Sequence, residues 1–463
     1  MDSSSPSHGA SAPRARLPPL ASGLPLVGST PQVLANPIRF LMRARERYGD
    51  IYTLDLGVQR MVVLNHPRQH EHVFLTKSKN YLKQGALWDA MRTLLGNGLA
   101  VSQGEVWKRQ RRMVHPQFHR QRLARITSLM VAAIEDQFER WDEQTRAGQS
   151  LDAVPMFAEL TMKLLAKSVF GTAVSHESVE TLRPEMLYVI KYMVPSMLTQ
   201  SLPSWVPRPG ERRYQQALER IDRLLFSVIE QRRGEPGGSD DLLSMLLEAL
   251  DEETGLPMQA RQLRDETLTL FLAGYETTSV ALAWAVHYIL EDAAVWRRLR
   301  EEVEQVLGDR EPTFGDMGEL KYTRMVIQES LRICPPIWWN PRLAMEDDEI
   351  DGYAIPKGSV IAPLTYVVHH HPDVWKDPER FDPLRFASEE GETRHRCAWG
   401  PFGIGPRKCV GVEFAMMEAQ LVLAMFVRRY DVSRMAGPPV EKAMLGTLRP
   451  KAGIPIGLHR RRS

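Results

Sequence analysis

The stretch that most constrains the fold runs from Thr267 to Leu290, and Glu276 is its only formal charge. As a helix rising about 1.5 Å per residue, it would be long enough to cross a bilayer. A carboxylate near the middle of a membrane is costly, however, and charged segments flank the stretch closely on both sides. We therefore predict a long helix buried through the middle of a large domain, with no membrane anchor.

Within this stretch lies Ala273-Gly274-Tyr275-Glu276-Thr277-Thr278. A buried threonine can bond back to the preceding helical turn, so Thr277 alone would need no further explanation. A buried carboxylate needs polar partners, which makes Glu276 a poor choice for packing alone. The acid and the neighbouring hydroxyl together predict a catalytic role for Glu276 and Thr277.

A second informative segment is Phe402-Gly-Ile-Gly-Pro-Arg-Lys-Cys-Val-Gly411, a glycine-studded loop that precedes a predicted helix over 413–427. Gly403 and Gly405 permit a tight turn and close approach of the backbone. A thiolate at a helix N-terminus is stabilised by backbone N–H groups and by the helix dipole. Although a lone cysteine is more often a small buried hydrophobe, this setting predicts that Cys409 is a deprotonated metal ligand.

Composition excludes several classes of protein. Among 463 residues, 43% are hydrophobic and 25% charged, as in soluble globular proteins. A net charge of +2 gives no reason to expect nucleic acid as a partner. The three cysteines form no CxxC pair, so neither a disulfide framework nor a structural zinc site is indicated, and a cytoplasmic location is expected.

The distribution of apolar residues predicts a mainly α (α+β) fold. We expect a disordered lead-in over 1–20 and a single domain over 21–463. The predicted elements are a hairpin at 50–65, helices across 107–171, two long helices over 259–307, a helix at 323–333, and strand and turn at 351–363. Residues 372–408 are predicted to be irregular, as in a loop organised around a ligand. The result is a large helical body with a small β-rich lobe.

Taken together, these motifs resemble the cytochrome P450 family over roughly residues 20–455. The cysteine loop matches Phe-x-x-Gly-x-Arg-x-Cys-x-Gly, and the central stretch matches (Ala/Gly)-Gly-x-(Asp/Glu)-Thr-Thr. The resemblance implies the P450 fold, with haem b buried between the long central helix and the helix that follows the cysteine loop. Cys409 would be the proximal iron ligand, flanked by Phe402 and Gly411. Thiolate ligation is a known property of P450 haem, in which it favours cleavage of the O–O bond.

The resemblance also assigns roles around the cofactor. Ala273 and Gly274 would leave room for O2, Thr277 would contact it, and Glu276 would bring protons from solvent. The haem propionates would be bound by Trp107, Arg111, Arg342 and Arg407. The run His369-His370-His371 is expected to be structural.

A buried triad is implied by Glu329 and Arg332, which lie three residues apart on an apolar helix. An isolated pair with this spacing would be a routine surface ion pair. The pattern Trp-x-Asp-Pro-x-x-Phe-x-Pro-x-Arg-Phe over 375–386 makes Arg385 the third member, rather than Arg380, with Leu384 in place of the usual glutamate.

The implied activity is a stand-alone monooxygenase that inserts one oxygen atom from O2 into a hydrophobic molecule by hydroxylation or epoxidation. No glycine-rich flavin or nucleotide motif follows a strand. Electrons from NAD(P)H would therefore arrive through a reductase and a ferredoxin or flavodoxin, attracted by a basic patch of Lys408, Arg394, Arg396 and residues 108–112. A bacterial, monomeric protein is expected. The alternatives are a peroxygenase or rearrangement enzyme of the same fold, or a non-catalytic haem protein.

The substrate is the least constrained prediction, and fatty acid, terpenoid, steroid and macrocycle all remain open. Segments that match the family's recognition regions are apolar, and some of their residues are expected to be core instead. The predicted pocket comprises Leu87, Trp88, Met91, Phe271, Ile337, Trp338, Met444 and Leu445, together with residues 193–198.

Overall fold

Helices account for most of the fold. The structure is a computed structural model that describes residues 15–146, 150–171, 184–186, 188–192, 205–206, 208–234, 241–387, 393–444 and 446–461. The helices are α1 (Thr30–Ala35), α2 (Pro37–Tyr48), α3 (Pro67–Glu71), α4 (Ala86–Leu95), α5 (Gly104–Val114), α6 (Arg120–Arg146), α7 (Ala153–Phe170), α8 (Glu211–Gly234), α9 (Leu242–Glu248), α10 (Ala260–Glu291), α11 (Ala293–Leu307), α12 (Lys321–Ile333), α13 (Thr365–His369) and α14 (Val412–Arg429).

The central helix α10 is buried on all sides over much of its length, which confirms the prediction for this stretch. It packs against α7, α8, α12 and α14. Asp292 separates it from α11 and caps the second helix by accepting a 2.8 Å hydrogen bond from the backbone N–H of Ala294. Within the described ranges, no helix combines the length and apolarity needed to cross a membrane.

The β-rich lobe is built around a five-stranded sheet of order β1-β2-β8-β5-β3. The predicted hairpin is confirmed as the antiparallel pair β1 and β2, and β2 pairs in parallel with β8. Smaller sheets are β4-β12-β9, β6-β7 and β10-β11. The strands are β1 (Ile51–Asp55), β2 (Arg60–Leu64), β3 (Tyr81–Leu82), β4 (Leu151–Asp152), β5 (Arg342–Ala344), β6 (Asp348–Ile350), β7 (Tyr353–Ile355), β8 (Val360–Pro363), β9 (Tyr430–Arg434), β10 (Lys442–Met444), β11 (Leu448–Pro450) and β12 (Pro455–Arg460).

The predicted disordered lead-in is wrong for residues 15–20. The carbonyl of Pro19 accepts a 2.8 Å hydrogen bond from the N–H of Thr53, and the carbonyl of Arg16 accepts one of 2.9 Å from Ala354. These bonds lay the segment along the β-rich lobe. Residues 1–14 lie outside the described residues.

The segment that leads to the cysteine loop is largely irregular, as predicted. In the part of this segment that the structure describes, the regular pieces are two short 3-10 turns, Pro383–Phe386 and Gly405–Arg407. Trp375 is only 2% exposed, so its buried side chain attaches this irregular segment to the core. Because few backbone groups pair with one another here, side chains must hold the segment in place.

Candidate active site

The cysteine loop is a closed turn fixed by its own backbone. The N–H of Cys409 donates to the carbonyl of Phe402 at 2.8 Å, and that of Lys408 donates to Gly405 at 3.0 Å. Gly405 has φ +73°, and a side chain there would overlap the carbonyl oxygen of Phe74. Glycine is therefore required by both conformation and close approach. A Cβ at Gly411 would lie 3.9 Å from the sulfur of Cys409.

Cys409 retains accessible surface, yet the surrounding protein affects the titration of its thiol through burial. Burial raises the pKa of the Cys409 thiol, and it outweighs the lowering effects of the Gly411 N–H and of the cations Arg111, Lys83 and Lys408. The helix N-terminus and the nearby cations therefore do not offset the effect of burial on this thiol. A bound metal ion would remove the proton, because coordinated thiols are deprotonated.

Four cations interact with one another on the thiol side of the site: Lys83, Arg111, Arg342 and Arg407. Burial and mutual repulsion lower the pKa of Arg342 to about 9 and that of Arg407 to about 10. Their hydrogen-bond acceptors include the carbonyls of Ala100 for Lys83 (2.8 Å), Lys408 for Arg111 (2.6 Å), Pro341 for Arg342 (2.8 Å) and Ser102 for Arg407 (2.8 Å). No carboxylate of the described chain forms an ion pair with them.

These four residues, the "cation cluster", fit a dianionic cofactor. Concentrated positive charge in an enclosed site is unfavourable unless an anion balances it, and a haem supplies two propionates. The guanidinium group of Arg407 lies 4.0 Å from the ring centroid of Trp107, which keeps it oriented. The predicted residues Trp107, Arg111, Arg342 and Arg407 would bind the propionates, and Cys409 would ligate the iron.

Lys83 was missed by the sequence reasoning. It lies between β3 and α4, outside any motif, and burial together with Arg342 and Arg407 lowers its pKa well below the usual range. Its ammonium nitrogen lies 4.7 Å from the ring centroid of Trp88. The close pairing of a lysine with a tryptophan five residues later was the only available signal, and it is a weak one.

The predicted triad is present and buried. Glu329 and Arg332 are fully buried, and Arg385 is 6% exposed. Arg332 donates to both oxygens of Glu329 at 2.7 and 2.9 Å, and Arg385 donates to Oε1 at 3.2 Å. Arg380 contributes only its backbone carbonyl, which accepts from both arginines. Geometry therefore assigns the third position to Arg385.

His369 connects this triad to the cysteine loop. Its Nδ1 donates to the carbonyl of Arg332 at 3.0 Å, and its Nε2 accepts the N–H of Gly400 at 3.0 Å. Burial and Arg332 lower its pKa to about 3, so the ring is neutral and can act as donor and acceptor at once. The Nδ1 of the neighbouring His370 is hydrogen-bonded to the carbonyl of Tyr366 at 2.8 Å. These contacts agree with the structural interpretation of the histidine run.

Within the described part of the chain, two other side-chain groups have metal-ligand chemistry: Asp50, His66 and His371, and Glu71, His395 and Cys397. In the second group the Nδ1 of His395 accepts the N–H of Cys397 at 3.1 Å. The ring proton therefore lies on Nε2, 3.1 Å from Glu71. This tautomer leaves no lone pair for a cation at Nε2, and the Nδ1 of His371 is similarly engaged by the N–H of Asp373. Both groups are satisfied polar networks.

On α10, Ala273 is exposed although it lies in the middle of a buried helix, so it faces the interior of the site. Thr277 follows one turn later and donates its hydroxyl to the Ala273 carbonyl at 2.6 Å. Gly274 serves a different purpose from the predicted one. A Cβ there would lie 2.9 Å from Leu165, so the space that glycine provides is filled by α7.

The carboxylate of Glu276 is directed at the β10-β11 hairpin. Its Oε1 accepts a 2.8 Å hydrogen bond from the Thr447 hydroxyl and forms an ion pair with Arg449. The need of this acid for partners, predicted from sequence, is therefore met by a segment far away in the chain. A second acid, Glu418, lies on α14 and is fully buried. Burial raises the pKa of Glu418 to about 8, so this side chain is mainly neutral at pH 7.

The predicted substrate-pocket residues divide into two groups. Trp88 and Phe271 are buried by protein: Trp88 donates to the carbonyl of Pro341 at 3.1 Å, and Phe271 packs on Phe170 with ring centroids 5.8 Å apart. Residues that retain accessible surface are Leu87, Met91, Ile337, Trp338 and Met444. Leu445 and residues 193–198 lie outside the described residues.

The predicted basic patch is largely neutralised within the chain. Arg396 pairs with Glu71, and Lys108 pairs with Glu105 at 2.6 Å. Arg394 donates to the carbonyl of Arg385 at 2.9 Å. Arg396 and Lys108 thus carry paired charges, and a basic docking surface for an acidic electron donor stays a prediction.

Comparison with known proteins agrees with this geometry. The sequence profile of the family described as "Cytochrome P450" matches residues 18–456. "Cyclooctat-9-en-7-ol 5-monooxygenase" of Streptomyces melanosporofaciens is 32% identical over 419 residues, 89% of each chain. "Pentalenene oxygenase" of Streptomyces avermitilis is 29% identical over 425 residues, 92% of this chain and 93% of that protein. The solved structure "Crystal structure of cytochrome P450DA heme domain" superposes with a TM-score of 0.86 at 26% identity, covering 97% of this chain and 99% of that one.

The chain belongs to the cytochrome P450 family. It is a cytochrome P450 monooxygenase with the fold predicted from its motifs. Membership implies a haem cofactor, O2, a hydrophobic substrate and electrons delivered by a redox partner.

Proposed function

We propose that this monooxygenase hydroxylates or epoxidises an apolar terpenoid, using haem b ligated by Cys409. The proposal is supported mainly by the activities that the names of two similar proteins state. Two Streptomyces proteins whose names specify oxidation of cyclooctat-9-en-7-ol and pentalenene match about nine tenths of the chain. Among the substrate classes left open by the sequence, terpenoids are therefore favoured.

The accessible part of the predicted pocket supports an apolar substrate. Leu87, Met91 and Met444 are uncharged and half-buried, and Ile337 is 40% exposed. Trp338 stacks on Trp339 with ring centroids 5.1 Å apart, which provides a rigid aromatic surface. Apolar and aromatic lining is typical of pockets that bind hydrophobic molecules.

When bound, the haem supplies oxygen activation and oxygen transfer. The chain positions the cofactor and the substrate, delivers protons and excludes water from the site. The cation cluster would hold the propionates, and Cys409 would lose its thiol proton on ligation. Thr277 offers a hydroxyl on the face of α10 that carries the exposed Ala273, and Glu276 is the adjacent acid. We further propose a ferredoxin or flavodoxin as the electron donor and a single-domain, monomeric protein.

The first experiment measures the reduced, CO-bound spectrum. The wild type and a Cys334→Ser control should give the red-shifted Soret band of thiolate ligation, whereas Cys409→Ser should not. A wild-type spectrum without that band would contradict the haem-thiolate assignment.

The second experiment tests the substrate class with a surrogate ferredoxin and reductase. Pentalenene and cyclooctat-9-en-7-ol should shift the haem from low to high spin and give oxygenated products. Lauric acid and progesterone serve as comparison compounds. Turnover of the fatty acid or steroid alone would overturn the terpenoid proposal and leave the monooxygenase activity standing.

A further inference from the structure

A hairpin near the C-terminal end of the described chain holds the acid of the central helix. Thr447 donates its hydroxyl to Oε1 of Glu276 at 2.8 Å, and the guanidinium group of Arg449 binds the same oxygen. The side chains of Glu276 and Arg449 are 17% and 33% exposed. A charge pair so shielded from water interacts more strongly than a pair on the open surface.

The hairpin itself is tied to two neighbours, so the position of Arg449 is fixed. The Trp284 indole N–H of α10 donates to the carbonyl of Leu448 at 3.0 Å. The N–H of Leu448 donates to the carbonyl of Pro336 at 3.0 Å. These bonds lie one residue before Arg449 in β11, and Ala443 opposes Arg449 across the hairpin. The ion pair with Glu276 is therefore part of a rigid junction.

Among the residues that the structure describes, donors reach only one oxygen of the Glu276 carboxylate. Both donors bind Oε1, while the described residues provide no donor to Oε2. Oε2 therefore remains accessible to water or to a further partner, while Oε1 keeps the carboxylate oriented. Because successive residues of a helix are separated by roughly 100°, Glu276 can face the hairpin while Thr277 faces the site beside Ala273.

We propose that Arg449, assisted by Thr447, is the positioning residue that sets Glu276 as the proton donor to Thr277. This inference rests on the proposed monooxygenase mechanism. A proton leaves Oε2 of Glu276, the Thr277 hydroxyl relays a proton onward to the reacting oxygen, and solvent returns one proton to Oε2. No electrons pass through these residues. Arg449 controls how much of the consumed O2 ends in product rather than in hydrogen peroxide.

The test measures product formed and hydrogen peroxide released per NAD(P)H oxidised. Arg449→Gln should lower product yield about tenfold, since a misplaced catalytic group costs one to two orders of magnitude, and should increase the solvent isotope effect on product formation. Thr447→Val should change both quantities in the same direction by a smaller factor. Arg449→Lys keeps the positive charge but lacks the planar guanidinium group, so its product yield should lie between those of Arg449→Gln and the wild type.

The matched control is Arg434→Gln, which removes an ion pair with Glu291 on the same helix. It should leave product yield unchanged. Equal yields in Arg449→Gln and Arg434→Gln would overturn the inference. Loss of the CO-bound band in Arg449→Gln together with a normal yield in Thr447→Val would also overturn it, because it would show a scaffold role. A wild type that forms no product would instead count against the proposed function.

Discussion

The triad and the cation cluster are two groups of buried charge, and their charges are compensated in opposite ways. In the triad, the carboxylate of Glu329 is shared by Arg332 and Arg385, and the remaining guanidinium N–H groups reach backbone carbonyls. In the cation cluster, burial lowers the pKa of Arg342 and of Arg407, with repulsion from Arg407 adding to the shift of Arg342 and repulsion from Arg111 to that of Arg407, and the described chain supplies no carboxylate. The first group braces the irregular segment with partners from the chain itself. The second is balanced only when an anion from outside the chain is bound.

Breaking the triad should have the largest effect. Glu329→Gln leaves two buried guanidinium groups without their counter-ion, and we expect a loss of about 4 kcal/mol in the free energy of unfolding. Urea unfolding and the CO-bound spectrum measure it. The control is Glu105→Gln, which removes an exposed ion pair with Lys108 and should leave the midpoint unchanged. A stable, haem-loaded Glu329→Gln variant would show that the triad does not brace the loop.

The second prediction separates the two candidate arginines. Arg385→Ala should abolish haem incorporation, because it removes a donor to Glu329 and several bonds to backbone carbonyls, at a cost of about 3 kcal/mol. Arg380→Ala should retain haem, since only its backbone carbonyl takes part. Pigment content of purified protein checks both. Loss of haem in Arg380→Ala alone would reverse the assignment.

The third prediction concerns the cation cluster, where a substitution should raise the free energy of unfolding of the apoprotein instead of lowering it. Arg342→Leu should stabilise the apoprotein by about 2 kcal/mol at pH 7, because an uncompensated buried cation is removed, and should weaken haem retention. Burial and Arg407 lower the pKa of Arg342 to about 9 in the folded chain, below its value when unfolded. The cost of burying the charge is therefore full below pH 9 and decreases as pH rises above it.

Consequently, the stability difference between the Arg342→Leu and wild-type apoproteins should narrow between pH 9 and pH 10 in urea titrations. Lys83→Met should stabilise the apoprotein in the same sense. A less stable Arg342→Leu apoprotein would mean that the cluster is already balanced within the chain, and the contrast with the triad would fail.

The smallest effect is expected at His369, which connects the triad to the segment that carries the cysteine loop. His369→Gln should cost about 1 kcal/mol at pH 8 through weakened bonds to Arg332 and Gly400. Burial lowers the pKa of His369 to about 3, so the unfolded chain binds a proton below about pH 6.5 that the folded chain does not. The wild type should therefore lose stability relative to the variant as pH falls from 6.5 to 5. A gap independent of pH would contradict a buried, neutral His369.

Local patterns predicted the hairpin and the long helices, since each depends on residues close together in sequence, whereas the members of the triad were predicted from the resemblance to the family. What escaped prediction depends on pairing across the chain. Arg449 reaches Glu276 from a distant hairpin, and Glu71 neutralises Arg396 from the β-rich lobe. Lys83 belongs to no motif, and only the fold places it near Arg407.

The surroundings of individual residues were also predicted wrongly where a residue could face either of two environments. An aromatic residue in a recognition segment can face the substrate or the core, and nothing local decides between them. Trp88 is buried beneath cations, and the missing side chain of Gly274 makes room for Leu165 of α7. The helix N-terminus was expected to stabilise the Cys409 thiolate, but the burial that outweighs this effect on the pKa of the thiol is a property of the whole fold.

The wide spacing of the cation cluster along the chain has a consequence for biosynthesis. Lys83 leaves the ribosome long before Arg342 and Arg407, and Cys409 follows last. At about 5–20 residues per second, the interval between Lys83 and Cys409 is on the order of a minute or less. During that time a nascent chain displays only part of the anion site and none of the iron ligand. Capture of haem should therefore be among the latest events in maturation, after translation has passed Cys409, and pulse-labelled chains truncated before that residue should emerge without pigment.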